Sequence, residues 1–290
     1  MIESADKQVV QDAILRDMAV VMGFTHSALL RFILKTAMQG TVQYIAGILA
    51  DFDKKVAEAG LAAGMQTLLA RFVRDVEIRG KEGIPEKGPL LIVSNHPAAY
   101  DMPLIAASLP RDDLQVISSD ITFISCLPAT ARYFMFIGKT PSTHMVAARA
   151  AIQHLKAGGS VLLFPRGNTE PDPAVSPGAA ESMQRWSPSL EIFLRQVPET
   201  QVIVTIVSGV LSPGWMRSPI TWVRKEKEQR QKIAEIFQVI YQVLFPGRLW
   251  LSPQVDFSRT ITTSELIASG SLLEGIRERA REMLGEKISK

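Results

Sequence analysis

At Val73 the hydrophobic period of this chain changes, and that change limits what it can fold into. Before it, apolar residues recur three and four positions apart, as in Leu15, Met18, Ala19 and Met22 and again in Leu29, Leu30, Ile33 and Leu34. That is the spacing of one helix face. After it come short runs of strand length. Residues 76–79 alternate, and 89–93 form a continuous apolar run that follows a stretch rich in Gly, Pro and charge. Such a run predicts a strand covered on both faces. Similar runs lie at 114–117, 133–137, 160–164, 202–207 and 249–255.

Helical segments separate several of these runs. One is predicted from Ser142 or Thr143 to Lys156, capped by a hydroxyl at its start and followed by Gly158-Gly159. Another runs from about 225 to 244, with Ile233, Ile236, Phe237, Ile240 and Leu244 on one face. Alternation of strand and helix predicts an α/β fold, a mostly parallel or mixed sheet flanked by helices. Residues 1–72 are expected to form an N-terminal helical subdomain of three or four helices, in which Gly40, Gly60 and Gly64 mark helix ends or close contacts. The α/β domain is expected over 73–290.

At 290 residues and 47% hydrophobic content the chain can bury a large core. The single cysteine, Cys126, excludes an intramolecular disulfide framework and is expected to be buried filler, in keeping with a reducing cytoplasm. The N-terminus, Met1-Ile2-Glu3-Ser4-Ala5-Asp6, is acidic and lacks the apolar core of a secretory signal. The uncharged stretches 18–30 and 36–50 fall short of the ~18 residues of a spanning helix, so none is expected. The expected location is cytoplasmic, or peripheral at the inner face of a membrane. Net charge is only +3, yet residues 121–169 carry Arg132, Lys139, Arg149, Lys156 and Arg166 with no acidic residue. That segment is expected to face an anion.

The strand at 89–93 runs directly into Ser94-Asn95-His96-Pro97-Ala98-Ala99-Tyr100-Asp101. On a continuous helix His96 and Asp101 would point to different faces. Pro97 pushes the residue before it out of helical geometry, so His96 should sit at the strand's carboxyl end. Pro97 then suits the first turn of a helix, with Asp101 one turn on. The carboxylate can reach back to one imidazole nitrogen and leave the other free as a base. Ligands of open α/β sheets collect at this end of the strands. His26, His144 and His154 have no metal-ligand spacing, and no Walker sequence is present, so neither metal nor cofactor is expected. Nucleic acid is not an expected partner.

Taken together, Val76-Glu77-Ile78-Arg79-Gly80, Leu91-Ile92-Val93-Ser94-Asn95-His96 with Asp101, Phe134 to Lys139, Phe164 to Glu170, and, loosely, Ile203 to Ser208 resemble the blocks of the glycerolipid acyltransferase family. The resemblance extends over about residues 74–257. It implies that His96 and Asp101 are catalytic and that a fatty acyl group moves from an acyl-CoA or acyl-carrier-protein thioester to a hydroxyl of glycerol 3-phosphate or lysophosphatidate. Lys139 stands where the family has an arginine for the acceptor phosphate, keeping the charge without the bidentate fork. In the third block Arg166 replaces the family's glutamate and Thr169 its arginine. Lys139 and Arg166, with Gly167, Asn168, Thr169 and Arg149, are therefore the candidate substrate-binding residues. Backbone amides near Gly167 or just after His96 are candidate donors for a developing oxyanion. Three other readings stay open: a non-catalytic lipid- or membrane-binding protein on the same fold, a transferase using a different, non-glycerophosphate acceptor, or a hydrolase in which His96 activates water or Ser94. The stretch Trp215-Met216-Arg217 to Trp222-Val223-Arg224-Lys225 mixes aromatic and basic residues suited to an anionic membrane surface.

Overall fold

The computed structural model describes residues 5–119, 121–138, 140–268 and 270–288. Helices α1 (Lys7–Met22) and α2 (Ala28–Leu69) come first. Strand β1 (Glu77–Arg79) and β2 (Leu90–Ser94) follow, then α3 (Asp101–Ser108), β3 (Leu114–Ser119), α4 (Thr122–Ser125), β4 (Phe134–Ile137), α5 (Pro141–Lys156) and β5 (Ser160–Leu163). The chain continues through α6 (Ala179–Met183), α7 (Leu190–Gln196), β6 (Gln201–Ser208), α8 (Pro213–Met216) and α9 (Lys227–Leu244). It ends with β7 (Gln254–Phe257), β8 (Ile261–Thr262), α10 (Thr263–Ala268) and α11 (Leu272–Ile288).

The sheet is mixed and mostly parallel, in the order β1-β7-β6-β2-β5-β3-β4, with β8 also on β6. β6, β2, β5, β3 and β4 run parallel to one another, while β7 is antiparallel to β6 and parallel to β1. The run at 249–255 is only partly strand: Leu251 forms an isolated parallel bridge with Val73, and β7 begins at Gln254. β2 lies in the middle because Leu90 to Val93 are apolar on both faces and wholly buried. Leu90 and Ile92 pack with α2 and α3 residues such as Val56, Met65, Leu104 and Ile105. Leu91 and Val93 pack with Ala151, Leu155, Leu190 and Ile276 on the opposite side.

The N-terminal region holds three helical segments of the three or four expected, because α2 is two helices joined across a kink at Gly60. Gly40 stays inside α2 in open space, whereas Gly60 (φ 83°, ψ 171°) breaks the helix, and a Cβ at Gly64 would meet Val56 at 2.4 Å. Helix continuity through Gly40 follows from the good helix formers around it, whose propensity outweighs one glycine at about 1 kcal/mol. The two apolar quartets also part company. Leu15, Met18, Ala19 and Leu34 are buried, but Leu29, Leu30 and Ile33 are exposed. No helix among the described residues is long and apolar enough to cross a membrane.

Candidate active site

The site is assembled at the carboxyl ends of three neighbouring strands, β6, β2 and β5. Ser94 pairs in register with Thr205 of β6, and Asn95 extends that tie with its side chain. Its Oδ1 accepts from the Val207 amide at 2.8 Å and its Nδ2 donates to the Val207 carbonyl at 2.9 Å. His96 is thus the first residue free of the ladder. Ser94 is fully buried and donates its hydroxyl to the Asn95 carbonyl at 3.0 Å, away from a nucleophile's position.

Pro97 does not begin a helix. Residues 97–100 form a turn, closed by the Asp101 amide donating to the Ala98 carbonyl at 3.3 Å, and α3 starts at Asp101 itself. Two of the turn's amides go to side chains rather than to a helical ladder: Ala98 donates to Asp101 Oδ2 at 3.3 Å and Ala99 to Glu235 Oε1 at 2.7 Å. The consequence for the pair is the expected one. His96 Nδ1 lies 2.7 Å from Asp101 Oδ2, and the carboxylate is wholly buried while the imidazole is about one third exposed. With Nδ1 committed to Asp101, Nε2 is the nitrogen left for a substrate.

The loop after β5 closes the other side. The Phe164 ring lies 4.6 Å from the imidazole, centroid to centroid. Buried Glu170 takes the His96 amide on Oε2 at 3.0 Å and the Trp186 indole on Oε1 at 3.0 Å, and its own amide donates to the His96 carbonyl at 2.7 Å. Asp172, fully buried, accepts four backbone amides: Ala174 and Gly209 on Oδ1 at 2.9 Å, Val210 on Oδ2 at 2.8 Å and Leu211 on Oδ2 at 3.0 Å. It joins the loops that follow β5 and β6.

Burial disfavours the charged imidazole, but Asp101 above all, then Glu235 and Glu170, outweigh it and hold His96 above the ordinary histidine value. Burial likewise pushes the carboxyls of Glu170 and Asp172 up, against the donors they hold.

The substrate-binding candidates separate. Arg166 is near the site but engaged, its Nη2 2.9 Å from Glu228 Oε1 and its buried Nε without a partner. Gly167 and Asn168 are exposed and Thr169 is buried. Arg149 is exposed in the middle of α5, and no hydrogen bond joins it to these loops among the described residues. Lys139 lies outside the described residues. Three of the amides named for an oxyanion are already used. Gly167 donates to the Phe164 carbonyl, and Ala98 and Ala99 donate to the carboxylates described above, because a tight turn and a loop reversal consume their own donors.

Sequence reasoning missed Asn95, Glu170, Asp172 and the polar side of α9. Gln231 donates to the carbonyls of Pro97 at 2.6 Å and Glu170 at 2.7 Å. Gln238 accepts the Ser212 amide at 2.7 Å, and Gln242 accepts the Tyr100 hydroxyl at 2.9 Å. With Glu228 and Glu235 these make a stripe at spacings of three and four, and that stripe, not solvent, is what the helix turns toward the site. Its apolar face is only partly buried: Ile233 and Ile240 are inside, whereas Leu244 is exposed. The signal was the repeat of uncharged glutamines, which a merely solvated face does not need.

Residues 75–208 match the family model described as Acyltransferase. Among solved structures, the 1-acyl-sn-glycerophosphate (LPA) acyltransferase PlsC from Thermotoga maritima is similar at 15% identity and a TM-score of 0.47, over 97% of this chain and 96% of that one. No match is found among curated proteins.

Proposed function

We propose, from the match of residues 75–208 to the Acyltransferase family model, that this protein is an O-acyltransferase in which His96 is the general base and Asp101 its orienting carboxylate. The observation that carries the reading is the 2.7 Å contact between His96 Nδ1 and a buried Asp101 at a strand end, with Nε2 left open. Nε2 takes the proton of an acceptor hydroxyl as its oxygen attacks the carbonyl of an acyl thioester. The new C–O bond forms, the C–S bond breaks, and the departing thiolate recovers the proton from Nε2. Asp101 stabilises the imidazolium between those steps. No cofactor or metal enters this scheme. Ser94, buried and turned to a carbonyl, does not suit a serine-based hydrolase.

The test is thiol release from acyl-CoA or acyl-carrier protein, alone and with glycerol 3-phosphate or lysophosphatidate. Release that needs the acceptor supports transfer. Release without it favours hydrolysis, and none under any condition favours a lipid-binding protein.

For the acceptor phosphate we propose Arg166, with Lys139 as its partner. The Arg166–Glu228 ion pair makes the expectation two-sided, since a phosphate must compete with Glu228 for the guanidinium. Arg166→Gln should raise the KM for a phosphate-bearing acceptor about tenfold, the scale of one charge-assisted hydrogen bond, and Glu228→Gln should lower it. Equal KM values in both variants would remove Arg166 from this role. In that event a neutral alcohol becomes the better candidate acceptor.

A peripheral membrane contact is proposed on a wider surface than the stretch Trp215 to Lys225. Trp215 itself packs on Phe237 and Tyr241 of α9. Trp222 is 66% exposed, and Arg224 staples its segment to the carbonyls of Val20 and Val21 at the end of α1. α2 begins close by, with Leu29 67% and Phe32 66% exposed and the cations Arg31 and Lys35 beside them in sequence. Apolar tips among basic side chains suit an anionic bilayer. Trp222→Ser combined with Phe32→Ser should weaken co-sedimentation with phosphatidylglycerol vesicles by about a hundredfold, at ~1.5 kcal/mol for each large apolar side chain withdrawn. Unchanged binding would count against this face.

A further inference from the structure

Resting on His96 as the base, we propose that Glu235 is a positioning residue for it: from α9 it clamps the turn between His96 and Asp101 and supplies a second negative charge to the imidazolium formed during transfer. Glu235 lies outside the matched residues 75–208, so nothing in that family match assigns it a part.

The geometry begins with the turn. Residues 97–100 have no helical ladder, and the Ala99 amide would point outward unpaired without Glu235 Oε1 at 2.7 Å. One helical turn earlier, Gln231 holds the Pro97 carbonyl at 2.6 Å, so α9 grips the turn by a donor and an acceptor four residues apart. The two grips fix the direction in which His96 leaves β2. Tyr100 anchors the far end of the turn through Gln242, again on α9.

Charge provides the second half. The groups facing Glu235 are His96, Asp101 and the Tyr100 phenol on the turn and Lys232 on its own helix, while Glu170 faces His96 from the loop after β5. Burial raises the Glu235 carboxyl to about 7, against the Ala99 amide and the attraction of His96 and Lys232, with Asp101 adding to the rise. Glu235 in turn raises His96. The two are therefore coupled: a proton on His96 favours loss of the proton from Glu235. An imidazolium created during transfer favours the ionised form of the Glu235 carboxyl.

Glu235→Gln separates the clamp from the charge, since an amide oxygen still accepts from Ala99. The His96 ring protons are titrated by NMR, and kcat/KM is followed over the same pH range. His96 must be unprotonated to act, so activity falls as pH drops through its pKa. Removing a nearby negative charge lowers that pKa, and the expected shift of the NMR titration and of the acid limb is roughly half a unit or more toward low pH. Glu235→Ala should shift the limb in the same direction and lower kcat further, because the clamp is also lost. An unmoved NMR titration in both variants would overturn the proposal. The NMR arm needs no turnover: a shifted titration in a protein that transfers no acyl group would leave Glu235's electrostatic hold on His96 standing while the proposed reaction failed.

Discussion

Replacing His96 with alanine is expected to lower kcat for acyl transfer by roughly 10²–10⁴-fold, the contribution of a positioned general base. The melting temperature should change little, since the imidazole is one third exposed and, among the described residues, its side-chain hydrogen bond is to Asp101. Asp101→Asn tests the other half of the pair. A neutral amide cannot compensate the imidazolium, and its nitrogen would confront one of the donors that Asp101 now accepts, Ala98 or Met102 among them. Its loss should approach that of His96→Ala. The double variant should then be little worse than His96→Ala alone, because two groups that act as a unit are not additive. Additive losses would mean that Asp101 acts on something other than His96, and the assignment of the base would fall with that result.

That the pair could be found in the sequence at all is owed to Pro97. A proline after the histidine forbids the helical geometry that would have separated His96 from Asp101, and this inference holds although the helix itself starts four residues later than the pattern suggests. The strand runs were legible for a similar reason: a run buried on both faces is apolar throughout, as in Leu90 to Val93. The contacts that finish the site were not legible. Glu170 reaches His96 across 74 residues and Glu235 reaches Ala99 across 136. No local pattern states a partner at that distance, and a glutamate on a helix otherwise reads as solvated. The exposed apolar face of α2 misled for the converse reason. Helical spacing shows that Leu29, Leu30 and Ile33 share a side, but it does not show what covers them.

Asp172→Ala is expected to destabilise the fold by about 3–5 kcal/mol, one of the largest losses a single change here can cause. Four backbone amides converge on this carboxylate, from Ala174 in its own loop and from Gly209, Val210 and Leu211 after β6. Each buried donor left unpaired costs about 1–3 kcal/mol, less where the loop relaxes or water enters. The position does not tolerate the usual isostere either. In Asp172→Asn the amide oxygen could serve two donors on one side, but the amide nitrogen would face the other two, so a loss of about 2–3 kcal/mol is expected. For a chain of this size the alanine change corresponds to roughly 10 °C in melting temperature, readable by circular dichroism. Activity should fall more than the unfolded fraction accounts for. Asp172 holds the loops after β5 and β6 together, and the first of these carries Phe164 and Glu170 against His96. A destabilised variant with unaltered kcat at low temperature would show that these loops need no common anchor, and that Glu170 alone keeps the β5 loop on the base.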